Sequence, residues 1–380
     1  MTFKTIFLGW SFLIGLIFFS PVAGGTKEIV IAQVAPFSGP VSFYANEVHR
    51  GAMAYFSAVN SKGGVLGAKI RLISRDDAFD PNKTVALFQD LHRTEKPVAF
   101  IYPIGPANIE ALLAQGIPKN LGVPLVGWIP GLYKLRNPIN PFVFHLGLGD
   151  DAEVEKLIAH IASIGLKEVG LVYWDEKSIR DVILVAEEAA LRLDLKILGE
   201  IPIAPKGEGN ISQAAEMLVK KNPAAVIALL PVNETARLTA ELRGRGSRIW
   251  IYAPSYNEAG ALYRSAGSNL AVGVGLSQVV PNPFDSRRRL IRTYQEDLRK
   301  KEGVDVRFSS LSLEGYIAAK VIVEGLIRVG PNPSPVKLRN QLEGLQLDLG
   351  DLQFGYSPNQ HVGLQYIDIG VVTNGGRLLY

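Results

Sequence analysis

The sequence predicts an α/β protein of two parallel-sheet halves, and three observations carry that prediction. Short apolar, β-branched runs alternate with stretches whose apolar residues recur every three to four positions. The alternation breaks near residue 150 and then restarts. The connections are rich in Gly, Pro, Asn and Asp, the residues that turn a chain. Strands that alternate with helices in this way form parallel sheets covered on both faces.

In order, "KEIVIAQVA" (27–35) reads as a buried strand, and Val48, Ala52, Tyr55, Phe56 and Val59 mark a helix over 48–59. The glycines near Gly64 end it, and "AKIRLISRDD" is the second strand. Asp80 and Pro81 open the second helix as N-cap and first helical residue. "PVAFIYPIG" and "VPLVGWIPG" are strands that flank the helix "ANIEALLAQGIPKNLG". The second half repeats the pattern: helix 153–165, strand 167–174, helix 178–195, strand 196–203, helix 211–222, strand 224–232, helix 234–246 and strand 248–255. Two further helices, over 286–302 and 310–330, are expected to pack back on one half, and 352–372 reads as a β-hairpin with a broad loop.

Ligands of open parallel sheets bind beyond the carboxyl ends of the strands. The loop after the first strand, carrying Ser38, Phe43 and Tyr44, is therefore the first candidate for a binding surface.

A length of 380 residues implies two or three domains. With 47% apolar and 20% charged residues the chain is globular, and a net charge of +4 gives no basic stripe for nucleic acid. Lys4, the apolar run Ile6–Phe19 and the small residues Ala23, Gly24 and Gly25 form the pattern of an export signal over 1–25. A retained anchor is the alternative, although the run is shorter than the roughly 20 residues a span needs. The absence of cysteine removes disulfides, thiolate metal sites and thiol nucleophiles. The expected location is periplasmic.

No phosphate-binding glycine loop, dinucleotide fingerprint or nucleophile elbow occurs. The five histidines are scattered, so no metal site and no cofactor is expected. Asp76, Asp77 and Asp80 fit a strand end and a helix cap better than acid–base chemistry. Arg287–Arg289 read as a solvated helix face, with a docking patch as the minority alternative.

The stretch "FSGPVSFYANEVHRGAMAYFSAVNSKGGVLGAKIRLISRDDAFDP" resembles the opening of periplasmic solute-binding proteins of the branched-chain amino-acid transporter type. "LGVPLVGWIPG", "SQVVPNP" and "SLEGYIAAKVIVEGL" are similar to later segments of that family. The resemblance implies a type I periplasmic-binding fold: two Rossmann-like lobes joined by three hinge strands, with ligand trapped between them. It places lobe 1 at 26–149 plus 278–347 and lobe 2 at 150–277 plus 348–380. It also implies delivery to the membrane permease of an ABC transporter, with no chemistry on the ligand, by a protein expected to be monomeric.

Carried over residue by residue, the family's binding positions fall on Tyr44, Gly105, Ala107, Asn108, Pro130, Asp150, Ser178, Asn233 and near Ser255 and Tyr256, and Ser38, Phe43, Tyr102, Trp128 and Gln278 beside strand ends complete the expected set. Gly105–Asn108 open a helix whose N-terminus suits a carboxylate. Several of the family's hydroxyl positions are Gly, Ala, Ile or Pro here, and its ammonium-binding acid falls near Ser255. An aromatic or aliphatic acid is therefore expected ahead of an amino acid. A periplasmic sensor on the same fold is the alternative function, and an exported hydrolase the third class considered.

Overall fold

The computed structural model describes residues 1–2, 27–129, 131–205, 210–350 and 352–380. The expected export signal, apart from Met1 and Thr2, and the candidate Pro130 lie outside them. The first lobe is framed by β1 (Glu28–Ala35), α1 (Ser42–Ser61), β2 (Lys69–Asp76), α2 (Pro81–Thr94), β3 (Ala99–Ile101), α3 (Pro106–Ala114), β4 (Leu125–Val126) and β5 (Val143–Phe144). The second contains α4 (Asp150–Ser163), β6 (Glu168–Trp174), α5 (Ile179–Arg192), β7 (Lys196–Ile203), α6 (Asn210–Lys221), β8 (Ala225–Leu229), α7 (Val232–Gly244), β9 (Trp250–Ala253), α8 (Ala259–Ala266) and β10 (Gly275–Gln278). The chain then adds α9 (Arg289–Glu302), α10 (Ser310–Val329), α11 (Pro335–Leu342), β11 (Gln346–Asp348), β12 (Gln353–Gly355), β13 (Asp368–Val372) and β14 (Leu378–Leu379).

The first sheet runs β2-β1-β3-β4-β5, all parallel. The second runs β7-β6-β8-β9-β10 in parallel and continues through β13 and β14, which are antiparallel. Each sheet reverses its winding once, between β1 and β3 in one and between β6 and β8 in the other. Such reversals splay neighbouring loops apart and open a crevice at the strand ends.

The late helices pack on the first lobe, with α10 lying along α1. The approach is close enough to require glycine on both sides. A Cβ at Gly51 would stand 1.6 Å from the Ser312 carbonyl oxygen, and one at Gly315 would stand 1.9 Å from that of Val48.

Four expectations change. Helix α1 begins at Ser42, not Val48, because Tyr44, Ala45 and Val48 bury one continuous face, so Phe43 and Tyr44 are helical. The expected hairpin over 352–372 forms only as a short antiparallel turn, with Phe354 opposite Leu364 and Ser357 opposite Gln360. Asp348 accepts a hydrogen bond from the Gly350 N–H at 2.8 Å, closing a tight turn that pairs β12 with β11, while β13 joins β10. The third crossing between lobes comes later than residue 348. Tyr356 packs on Phe144, and Gly363 and Leu364 donate to the His145 and Leu146 carbonyls, which holds this segment at the edge of the first lobe. Likewise Gln278 ends β10 in the second sheet, not the first lobe, because β10 pairs with β9 and β13.

Candidate functional site

The loops at the two winding reversals face each other across a cleft of about 620 Å³, counting space open to solvent. The first lobe contributes Val41, Tyr44, Phe79, Ile104, Gly105, Pro106, Ile129 and Leu132. Asp150, Trp174, Glu176, Ser178, Ile179, Leu229, Leu230, Pro231 and Tyr256 come from the second. The walls are overwhelmingly apolar. Gly105 has φ 111°, a conformation that favours glycine, and a Cβ there would meet the Phe79 ring at 2.5 Å.

Tyr44 crosses the cleft. Its phenol oxygen accepts a hydrogen bond from the Val232 N–H at 2.8 Å. Val232 is the first residue of α7, and first-turn N–H groups have no partner within a helix. Burial pushes the Tyr44 phenol far above its usual range, so it stays protonated.

Behind this cleft lies a smaller, polar chamber of about 420 Å³ on the same measure, bordered by Tyr102, Trp128, Arg136, His145, Glu153 and Glu314 among others. Ile129, Asp150 and Tyr256 border both spaces. Asp150 Oδ1 accepts from the Gly131 N–H at 2.8 Å. Glu153 accepts from the Ser255 N–H at 2.7 Å, the Ser255 hydroxyl at 3.0 Å and the Ser277 hydroxyl at 2.5 Å. Tyr102 donates its hydroxyl hydrogen to Glu314 Oε2 at 2.5 Å.

Burial raises all three carboxyls, the Glu314 group to about 7. For Glu153, repulsion from Asp150 adds to the effect of burial. Burial pulls the His145 imidazole well below 6.5, and the nearby Arg136 and His361 act in the same direction, so it is neutral.

Of the residues expected to bind ligand, Tyr44, Gly105, Asp150, Ser178 and Tyr256 line the cleft. Tyr102, Trp128 and Ser255 line the chamber. The others stand elsewhere. Ser38, Ala107 and Asn233 are exposed. Phe43 borders a separate groove with Arg299 and Arg377. Asn108 turns inward, donating to Asp77 at 3.1 Å and Thr84 at 2.9 Å, because Asp77 is buried and needs donors. Gln278 is held by the Ser310 hydroxyl at 2.6 Å. Asp76 and Asp80 accept backbone N–H bonds at a loop and a helix cap.

Sequence reasoning missed Arg136, Glu153, Trp174, Glu176 and Glu314. Glu153 was within reach: it lies one helical turn from Asp150, on the same face of α4. It also fills, from another helix, the space beside Ser255 where the family's acid was expected.

Two lobes wound alike, with a shared cleft at facing strand ends, define a solute-binding protein of the type I periplasmic-binding fold. The sequence profile of the periplasmic binding proteins matches residues 28–377, and the chain belongs to that family. Leu/Ile/Val-binding protein homolog 7 of Brucella abortus is 26% identical over 385 aligned positions, covering 92% of both chains. A Leu/Ile/Val-binding protein of Rhizobium johnstonii, BraC3, is 37% identical over 86 residues, which span 22% of that relative. The crystal structure of an extracellular ligand-binding receptor from Verminephrobacter eiseniae superposes with a TM-score of 0.87 at 26% identity, covering 93% of this chain and 100% of that one.

Proposed function

We propose that this protein is an extracytoplasmic solute-binding protein that captures a small organic acid with an aromatic or aliphatic body. Closure of the lobes traps the ligand, and the permease of an ABC transporter receives it unchanged. The observation that carries this reading is the cleft itself: apolar side chains from both lobes surround it, and the Tyr44–Val232 hydrogen bond spans it.

A ligand that touches both lobes binds the closed state better than the open one, and this drives closure. Burying about 150 Å² of ligand carbon contributes roughly 4 kcal/mol, which alone corresponds to millimolar binding. A polar end must supply the rest. An α-amino acid fits less well. Of the two carboxyls on the cleft, burial raises Glu176 towards its neutral form, while Asp150 is already engaged by the Gly131 N–H and the nearby Arg136.

The test is to purify the protein, denature it, identify any released small molecule by mass spectrometry and measure rebinding by calorimetry. A stoichiometric organic acid is the expected result. A released zwitterionic amino acid, or no binding across a panel of aromatic and aliphatic acids, overturns the reading.

A further inference from the structure

Three buried nitrogens in residues of the polar chamber have no hydrogen-bond partner: Trp128 Nε1, Arg136 Nε and His145 Nδ1. The first two are obligatory donors. Trp128 and His145 are each 5% exposed, and their rings pack edge to face with centroids 4.6 Å apart. Buried donors in a folded protein are almost always paired, so a set left open beside a ligand cleft points to an acceptor supplied from outside.

We propose that the chamber seats the ligand's carboxylate against the indole N–H of Trp128 and the guanidinium of Arg136, while the apolar body fills the outer cleft. This inference rests on the small-acid reading above and adds the orientation of the ligand, polar end towards the hinge. Arg136 is already anchored in place, donating to the Gly147 carbonyl at 2.7 Å and packing against Gly131 and Gly149.

Arg136 is the positive charge that an arriving anion meets, and it stands among four carboxyls. Asp150, Asp151, Glu153 and Glu314 all lie near enough to Arg136 to interact with its charge. Asp150 and Glu153 are occupied by N–H and hydroxyl donors, and burial holds Glu153 and Glu314 towards their protonated forms. His145 is neutral, and the Tyr102 and Tyr256 phenols are pushed up by burial.

Trp174 supplies an internal control. Its indole nitrogen is also unpartnered, but it lines the outer cleft and not the chamber.

The experiment follows indole N–H resonances of the ¹⁵N-labelled protein during titration with benzoate and hexanoate, and with their methyl esters, using W128F and W174F for assignment. The expected result is a downfield shift of the Trp128 indole proton with acid and not with ester. Acid affinity should fall at least about tenfold in W128F, as for a lost hydrogen bond to a charged group, with ester affinity little changed. Acid binding that leaves Trp128 unmoved and shifts Trp174, or esters that bind as tightly as acids, overturns the proposal. Failure of every acid to bind instead removes the small-acid reading itself. If W128F does not fold, the wild-type resonance, assigned by elimination with W10F, W174F and W250F, still decides.

Discussion

Tyr44 of the first lobe caps a helix of the second: its phenol oxygen stands 2.8 Å from the Val232 nitrogen, 188 residues along the chain. The bond exists only when the lobes are together. In the closure proposed above, Tyr44 is thus a closing contact as well as a wall of the cleft.

Substitution of Tyr44 by Phe keeps the ring and removes the acceptor, leaving a buried N–H unpaired in the closed state. The expected cost of about 1–3 kcal/mol falls on closure alone, so ligand affinity drops about five- to 150-fold while the unfolding midpoint barely moves. Calorimetry and small-angle scattering with and without ligand check this. Unchanged affinity would show that closure does not depend on the bond.

The α1–α10 contact is the tightest constraint on the first lobe. In G315A the new methyl group must displace the Val48 backbone, which it would otherwise approach at 1.9 Å. Overpacking of this kind costs about 1–3 kcal/mol and occasionally more, and it should register as a lowered thermal midpoint.

Glu314 gives stability a pH dependence of known sign. Its carboxyl is raised by burial from 4.5 to about 7, so the folded state binds its proton more tightly than the unfolded chain does. Stability from this group is lost as pH rises from about 4.5 to about 7 and stays flat above, with a ceiling of about 3 kcal/mol. E314Q keeps an acceptor for the Tyr102 hydroxyl and should flatten the slope in that window. Denaturant unfolding at several pH values measures it, and an unaltered slope would refute the assignment.

An acid seated beside Arg136 adds negative charge next to Asp150, Asp151, Glu153 and Glu314, and so favours proton uptake by the two glutamates. Affinity for benzoate or hexanoate is therefore expected to strengthen as pH falls from about 8 to about 6, by up to about tenfold per proton taken up and per pH unit. Calorimetry in buffers of different ionisation enthalpy counts the protons directly.

Local chemistry made much of this protein legible from its sequence. Apolar runs and helical periodicity marked the strands and helices of both sheets, Asp80 and Pro81 announced a helix start, the strand-end rule pointed to the loop that carries Tyr44, and the family resemblance pointed to Gly105, Ser178 and Tyr256. What the sequence alone could not settle depended on partners distant in the chain. Helix α1 extends back to Ser42 because the lobe buries Tyr44 and Ala45. Asn108 turns away from the cleft because Asp77 lies buried behind it. The polar chamber draws its residues from the ends of β3, β4, β5, β9 and β10 and from α4 and α10, each with an ordinary local sequence. Periodicity reports how a segment meets its own helix or sheet, whereas which buried donor is left unpaired is fixed only when all those segments are packed together.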